Sequence, residues 1–303
     1  MGATVRLLKR GGKKMSIKVI TPGALTTVQD LGRKSFQSRG VRVCGVMDRE
    51  AYDDAIDLVG QKGDAVLEMT LFGGMYRFED DTTFALTGAD MAPKLDGSPC
   101  PMYQPVNAKA GQILNLGFAS SGCRTYLAVD GGITVPTVMG SRSTDVKCRI
   151  GGLEGRSLKA GDIVPVGEKR GCASAIKKQC RTYPEAVEVR AIPGPQDDMF
   201  TEKGLETFFS KEYTVSTDSD RMGYRLSGPV IESKSGTDII SDGIVFGSVQ
   251  VSANGLPIVL MADRQTTGGY AKIATVISAD LPKIAQCRPG CKLRFVKTSI
   301  EEI

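Results

Sequence analysis

This 303-residue chain reads as a mainly β protein with a few short helices, on three observations. Glycine supplies 36 residues and proline 14, a density of turn formers that favours many short strands over a helical bundle. Apolar and polar residues alternate in short runs, the signature of half-buried strands. A turn-plus-strand unit recurs three times, as KAGQILNLG at 109–117, KAGDIVPVG at 159–167 and RPGCKLRFV at 288–296. In each, a glycine tolerates the positive φ that a tight reversal needs, and an alternating strand leaves the turn.

The elements follow in order. Strands are predicted at 17–20 (IKVI), 83–87 (TFALT), 112–116 (QILNL), 125–129 (TYLAV), 187–192 (VEVRAI) and 258–261 (IVLM). The best helix runs over 48–59. Asp48 can cap its free N–H groups, worth roughly 1 kcal/mol over alanine. Glu50 suits the positive end, and Ala51, Tyr52, Ala55, Ile56 and Val59 form one apolar stripe before the stop at Gly60. Shorter helices are predicted at 201–210 and around 278–286. The stretch 167–186, rich in Lys, Arg and small residues, marks a junction between two β-rich halves.

Composition excludes several chemistries. There is no histidine, so no Ser-His-Asp or Cys-His nucleophile and no imidazole ligand exists within the chain. A general base must be Asp, Glu, Lys, Tyr or Cys. The net charge of +5 comes entirely from Arg6, Lys9, Arg10, Lys13 and Lys14; removing those five from 39 leaves 34 basic residues against 34 acidic. Residues 1–14 read as a tag remnant or over-extended start, and the balanced body argues against a nucleic-acid partner. The longest apolar run, Leu256 to Ala262, is seven residues, far short of the roughly 20 that cross a bilayer as a helix. The expectation is no membrane partner. The eight cysteines are scattered singly, which reads as reduced thiols in the cytoplasm. Cys287 and Cys291 have near-metal spacing without a second close pair, so no metal site is expected.

Three clusters could carry chemistry. The first, 262–272 (ADRQTTGGYAK), follows an apolar strand like a site wall. Asp263 could act as a base or hold a cation, Arg264 could clamp an anion, and Gln265 could read an amide. Gly268 and Gly269 let backbone N–H groups approach a ligand, and Lys272 is a point charge for oxyanions. A solvated hairpin explains the same residues. The second, 218–226 (DSDRMGYRL), groups Asp220, Arg221, Tyr224 and Arg225. Arginine forks grip carboxylates, but an Asp220–Arg225 or Asp218–Arg221 pair is equally natural. In the third, 139–145 (MGSRSTD), Arg142 and Ser143 could wrap an anion. Asp30 and Arg33, around a glycine turn, read as an ion pair. The chain has no P-loop, no dinucleotide fingerprint and no Met-Lys-Met biotin-attachment sequence.

Five stretches in this order carry a resemblance: TPGALTTVQDLGR (21–33), GVMD (45–48), GSRST (140–144), RMGYRL (221–226) and DRQTTGGY (263–270). Over about residues 16–298 the chain resembles the allophanate hydrolase subunit 2 family, also called the biotin-dependent carboxyltransferase A/B-subdomain family. The resemblance implies two cyclophilin-like β-barrel subdomains, at 15–180 and 181–303, and a subunit 1 family protein as partner. Cys44, Asp57, Gln61, Ala271 and Cys291 depart from the family pattern.

The activity so implied is that of one component of an ATP-dependent 5-oxoprolinase, which opens the lactam of 5-oxoproline to glutamate. ATP would be bound largely by the partner protein, and this chain would carry no covalent biotin. On that footing Arg221 would hold the substrate carboxylate, Gln265 the lactam, and Lys272 the developing negative charge. Asp263 would be the base or a metal holder, with Tyr270 the ring wall. Tyr224, Gln250, Thr266, Thr267, Gly268, Gly269, Arg142 and Ser143 complete the substrate-binding set. The alternatives are the carboxyltransferase half of a urea or amide carboxylase, or a non-catalytic antagonist of a kinase inhibitor.

Overall fold

The computed structural model describes residues 15–171, 173 and 177–302; the basic stretch 1–14 lies outside them. In the first half, one sheet runs in the order Ile163–Pro165, Ser16–Thr21, Phe72–Phe78, Ile113–Phe118, Lys94–Leu95, Ser98–Pro99. The other runs Leu25–Gln29, Val66–Thr70, Ser121–Val129, Thr82–Asp90, Val106–Ala108. Between them Val19, Tyr76, Phe78, Phe84, Leu86, Leu116 and Leu127 form a core. Helix α1, Arg49–Leu58, packs Tyr52, Ala55 and Ile56 against Val66, Ala85, Tyr126 and Ala128 of the second sheet. That sheet is buried on both faces, so its strands enclose polar as well as apolar side chains, among them Gln29, Glu68, Thr87 and Arg124. Asp48 caps the helix as expected, accepting the Ala51 N–H at 2.9 Å.

The second half is a closed barrel of seven strands in the order Ala186–Pro193, Lys272–Val276, Ser248–Val251, Pro257–Leu260, Gly223–Ser227, Glu212–Val215, Lys292–Lys297. An odd ring cannot be antiparallel throughout. The odd pair is Ala186–Pro193 with Lys292–Lys297, which run parallel, Val187 opposite Leu293 and Val189 opposite Phe295. Helix α2, Glu202–Ser210, is capped by Thr201 and stacks Phe208 on Phe295 with ring centroids 4.4 Å apart. A short helix α3, Leu281–Ala285, lies between the last two barrel strands in sequence.

The repeated turn is real in both halves. Gly111, Gly161 and Gly290 have φ of 89°, 89° and 94°. The residues that follow, Gln112, Asp162 and Cys291, donate N–H groups to the carbonyls of Lys109, Lys159 and Arg288 at 3.1, 3.1 and 3.0 Å. Between the sheets of the first half and the barrel, the chain is strapped to the acidic face of α1. Lys178 pairs with Asp54 and Asp57 at 2.9 and 2.8 Å, and Arg181 pairs with Glu50 and Asp54. Among the described residues no helix is long and apolar enough to cross a membrane.

Candidate functional site

A buried polar seam joins the two halves. Pairing of Gly223 with Leu260 sets the ends of two barrel strands side by side, so that Asp263 donates its N–H to the Arg221 carbonyl at 2.8 Å. The Arg221 guanidinium donates to both Asp263 oxygens at 2.9 and 2.7 Å, to the Gly45 carbonyl at 2.6 Å, and to Glu68. Glu68 also accepts the Met47 N–H and the Tyr126 hydroxyl, both at 2.9 Å. Arg124 lies 3.8 Å from Glu68 and donates to the Tyr224 hydroxyl at 2.6 Å and to the Ala285 carbonyl. Gln286 accepts the Cys123 and Arg124 N–H groups and donates to Asp48 at 2.8 Å.

This geometry reassigns three of the residues the sequence singles out. Arg221 and Asp263 do meet, but as a buried bidentate pair, so a substrate carboxylate would have to displace Asp263 to reach the guanidinium. Neither sequence-local pair forms: Asp220 accepts the Met222 and Gly223 N–H groups instead. The Tyr224 hydroxyl is enclosed by Arg124 and the carbonyls of Ala285 and Cys287. Burial pushes the Asp263 carboxyl up despite Arg221, because desolvation outweighs the ion pair. Glu68, Arg124 and Gln286 are the seam residues that sequence reasoning missed.

A second polar region projects from the barrel. Strands Asp238–Gly243 and Thr267–Tyr270 pair as a two-stranded ribbon, Asp242 opposite Gly268 and Gly243 opposite Thr267. Gln250 anchors it by donating to the Tyr270 carbonyl at 2.9 Å. At Gly268 an added Cβ would stand 2.5 Å from Ile244 Cδ1 and 2.7 Å from Gln250 Nε2, so a larger residue there would push the ends of both side chains aside. Lys272 is buried at the ribbon's base and donates to Asp242 at 2.5 Å and to the Gly243 carbonyl at 3.1 Å. Its hydrogen bond holds the Asp242 carboxyl below the usual range. The side chains of Gln265, Thr266, Thr267 and Tyr270 make no hydrogen bond among the described residues, and Tyr270 is exposed.

Arg142 and Ser143 do not join the ribbon. Ser141 and Ser143 donate hydroxyls to Asp30 at 2.6 Å each, and the Arg142 N–H reaches the same carboxylate at 2.6 Å. The Arg142 Nε donates to the Val135 carbonyl at 3.1 Å. The expected Asp30–Arg33 pair is replaced by this cage, and Arg33 turns to the Ser143 carbonyl. Cys44 is buried at φ 56°, and burial pushes its thiol well up, away from thiolate chemistry. Cys287 and Cys291 are both buried free thiols. Asp57 and Gln61, two further departures, reach partners far along the chain: Lys178 donates to Asp57, and Gln61 donates to the Val129 carbonyl at 2.8 Å.

A cleft of about 910 Å³ opens beside the seam, lined by Asp48, Glu50, Arg181, Tyr183, Lys283 and Gln286 among others. Its cations are already paired, Arg181 with Glu50 and Asp54, and Lys283 with Asp280 at 2.8 Å. None of Arg221, Asp263, Gln265 or Lys272 lines it. Gln265, Thr266, Thr267 and Tyr270, whose side chains make no hydrogen bond among the described residues, lie away from it, at the ribbon.

Fold and clusters together define a class: a mainly β protein whose two halves are locked by a charged seam and whose second half presents a polar ribbon. The chain belongs to the family of the carboxyltransferase domain, subdomain A and B, whose model matches residues 39–297. It is 44% identical to the C subunit of the Escherichia coli 5-oxoprolinase over 288 residues, covering 94% of this chain and 92% of that one. It is 39% identical to the C subunit of the Haemophilus influenzae 5-oxoprolinase, over 94% of this chain and 92% of the relative. The structure also matches the Kluyveromyces lactis urea carboxylase, with a TM-score of 0.87 and 29% identity. That match covers 98% of this chain but only 29% of the urea carboxylase.

Proposed function

We propose that this chain is one component of an ATP-dependent 5-oxoprolinase that opens the lactam of 5-oxoproline to glutamate, working with a subunit 1 family partner. The observation that carries this reading is the 44% identity to a 5-oxoprolinase C subunit, which runs through nearly the whole of both chains. The chemistry fits the ribbon. An unactivated lactam resists water, so its oxygen must first become a leaving group, for example by phosphorylation, and charge must be met as it develops. Lys272 supplies a buried ammonium for that charge, turning to it from the half-exposed carboxylate of Asp242. Gln265 reads the lactam amide, and Thr266, Thr267 and Tyr270 wall the ring. With no P-loop in its sequence, this chain would leave most of the ATP contacts to the partner.

The test is reconstitution. The chain is coexpressed with the subunit 1 partner and the remaining oxoprolinase component, and phosphate and glutamate release are measured with and without 5-oxoproline. Phosphate release that depends on 5-oxoproline and on this chain is expected; equal glutamate production by the partners alone overturns the reading. A second reading, the carboxyltransferase half of a urea or amide carboxylase using biotin on another chain, is supported by the urea carboxylase likeness. Activity abolished by avidin would select it.

A further inference from the structure

Among the described residues four arginines are buried, and Arg264 stands apart from the rest. Arg221 and Arg124 are tied to Glu68 and, for Arg221, to Asp263. Arg33 is wholly enclosed, with no exposed surface for a ligand to reach. Arg264 keeps 8% of its surface exposed. Its Nε is sealed from solvent without a hydrogen-bond partner, and its Nη1 reaches only the Met261 carbonyl, at 3.3 Å. No carboxylate lies within ion-pair distance among the described residues, for the neighbouring Asp263 has given both oxygens to Arg221. The guanidinium lies over the Phe246 ring, 5.6 Å from its centroid. Burial without a counter-ion pushes it down from the ordinary arginine value.

The position is as telling as the charge. Arg264 precedes one leg of the ribbon and Phe246 follows the other, and the legs are joined there by the Ile244 N–H donating to the Thr266 carbonyl at 3.1 Å. A buried cation without a partner is costly unless an anion completes it. Packing against Phe246 holds the guanidinium in place, while Nε and Nη2, which meet no protein acceptor among the described residues, are the pair a planar, two-oxygen ligand would take.

We infer that Arg264 receives the carboxylate of the substrate at the base of the ribbon, in place of the role the sequence suggests for Arg221. The identity of that substrate rests on the 5-oxoprolinase reading; the anion site does not. Arg221, spent on Asp263 and Glu68, is a positioning residue that fixes the strand end from which Arg264 departs.

Two measurements test this with Arg264→Gln. In the reconstituted complex, the KM for 5-oxoproline is expected to rise about 100-fold, the size of one lost charged hydrogen-bond pair. Arg264→Lys, which cannot stack or fork, is expected to restore little. With the isolated chain in low-salt buffer, acetate is expected to raise the Tm of the wild type and not of Arg264→Gln. The ligand-free variant is expected to melt no lower than the wild type, because removing an unpaired buried charge relieves the fold. An unchanged KM, equal acetate protection in both proteins, or a marked fall in ligand-free Tm overturns the inference. If the complex does not turn over 5-oxoproline at all, the functional reading fails while the acetate titration still decides the anion site.

Discussion

The seam and the ribbon are built from the same kinds of residue and put them to opposite uses. In the seam, Arg221, Asp263, Glu68, Arg124, Tyr224 and Gln286 satisfy one another across the two halves, and none is more than 7% exposed. At the ribbon, the side chains of Gln265, Thr266, Thr267 and Tyr270 make no hydrogen bond among the described residues, and Lys272 reaches outward to the carboxylate of Asp242, whose side chain is 55% exposed. A cluster of polar residues in a sequence therefore signals polarity, not availability. Whether a charge can meet a ligand depends on what arrives from elsewhere in the chain: Arg221 is claimed by Glu68, 153 residues away.

The largest effect should come from the seam. Replacing Arg221 by alanine leaves the Glu68 and Asp263 carboxylates facing each other in a water-poor interface. Breaking a buried pair in this way costs about 3–5 kcal/mol, to be read from urea unfolding of the isolated chain. Lysine at 221 should recover only part of that loss, since one ammonium cannot grip two carboxylates and the Gly45 carbonyl together. A loss below about 1 kcal/mol, matched by a large rise in the KM of the complex, would reverse the comparison and return Arg221 to substrate binding.

How much of this was legible in the sequence follows from the range of each interaction. The α1 cap, its apolar stripe and the three glycine turns are local, so the residues that decide them lie side by side. The Arg221 and Asp263 clusters were visible as clusters, but their mutual pairing was not. The available signal was Glu68 in VLEMT and Arg124 in CRTYLAV: charged residues in otherwise apolar strands, which must be paired if the strand is buried. Barrel closure through a parallel pair left no trace either. Alternation tells which face a residue lies on, never which strand lies beside it. The same holds for Ser143, whose partner Asp30 is 113 residues away.

A smaller and pH-dependent effect sharpens the seam side. Burial pushes Asp48 up to about 6, although the Ala51 N–H and Gln286 both favour its charged form. The folded state thus holds its proton more tightly than the unfolded chain does. The stabilisation from this group is full below about pH 4, declines as pH rises through 6, and is flat above, a total of about 3 kcal/mol. The carboxyl carbon of Asp48, followed by NMR, should titrate near 6, and folding at pH 5 should take up protons. A midpoint below 4 would mean that water reaches the carboxylate from the neighbouring cleft, and that the seam is wetter than its hydrogen bonds imply.

The smallest expected change in stability lies at the ribbon, and its smallness is the point. Tyr270 contributes its carbonyl to Gln250, a contact that any side chain preserves, while the residue is 37% exposed. Tyr270→Ala should therefore alter unfolding free energy by no more than about 0.5 kcal/mol. On the proposal that Tyr270 walls the lactam ring, the same change in the complex should raise KM severalfold with stability intact. A destabilisation comparable to that of Arg221→Ala would show that the ribbon is a structural strut like the seam. A stable variant with unaltered KM would move the ring-binding wall elsewhere, towards the cleft between α1 and α3.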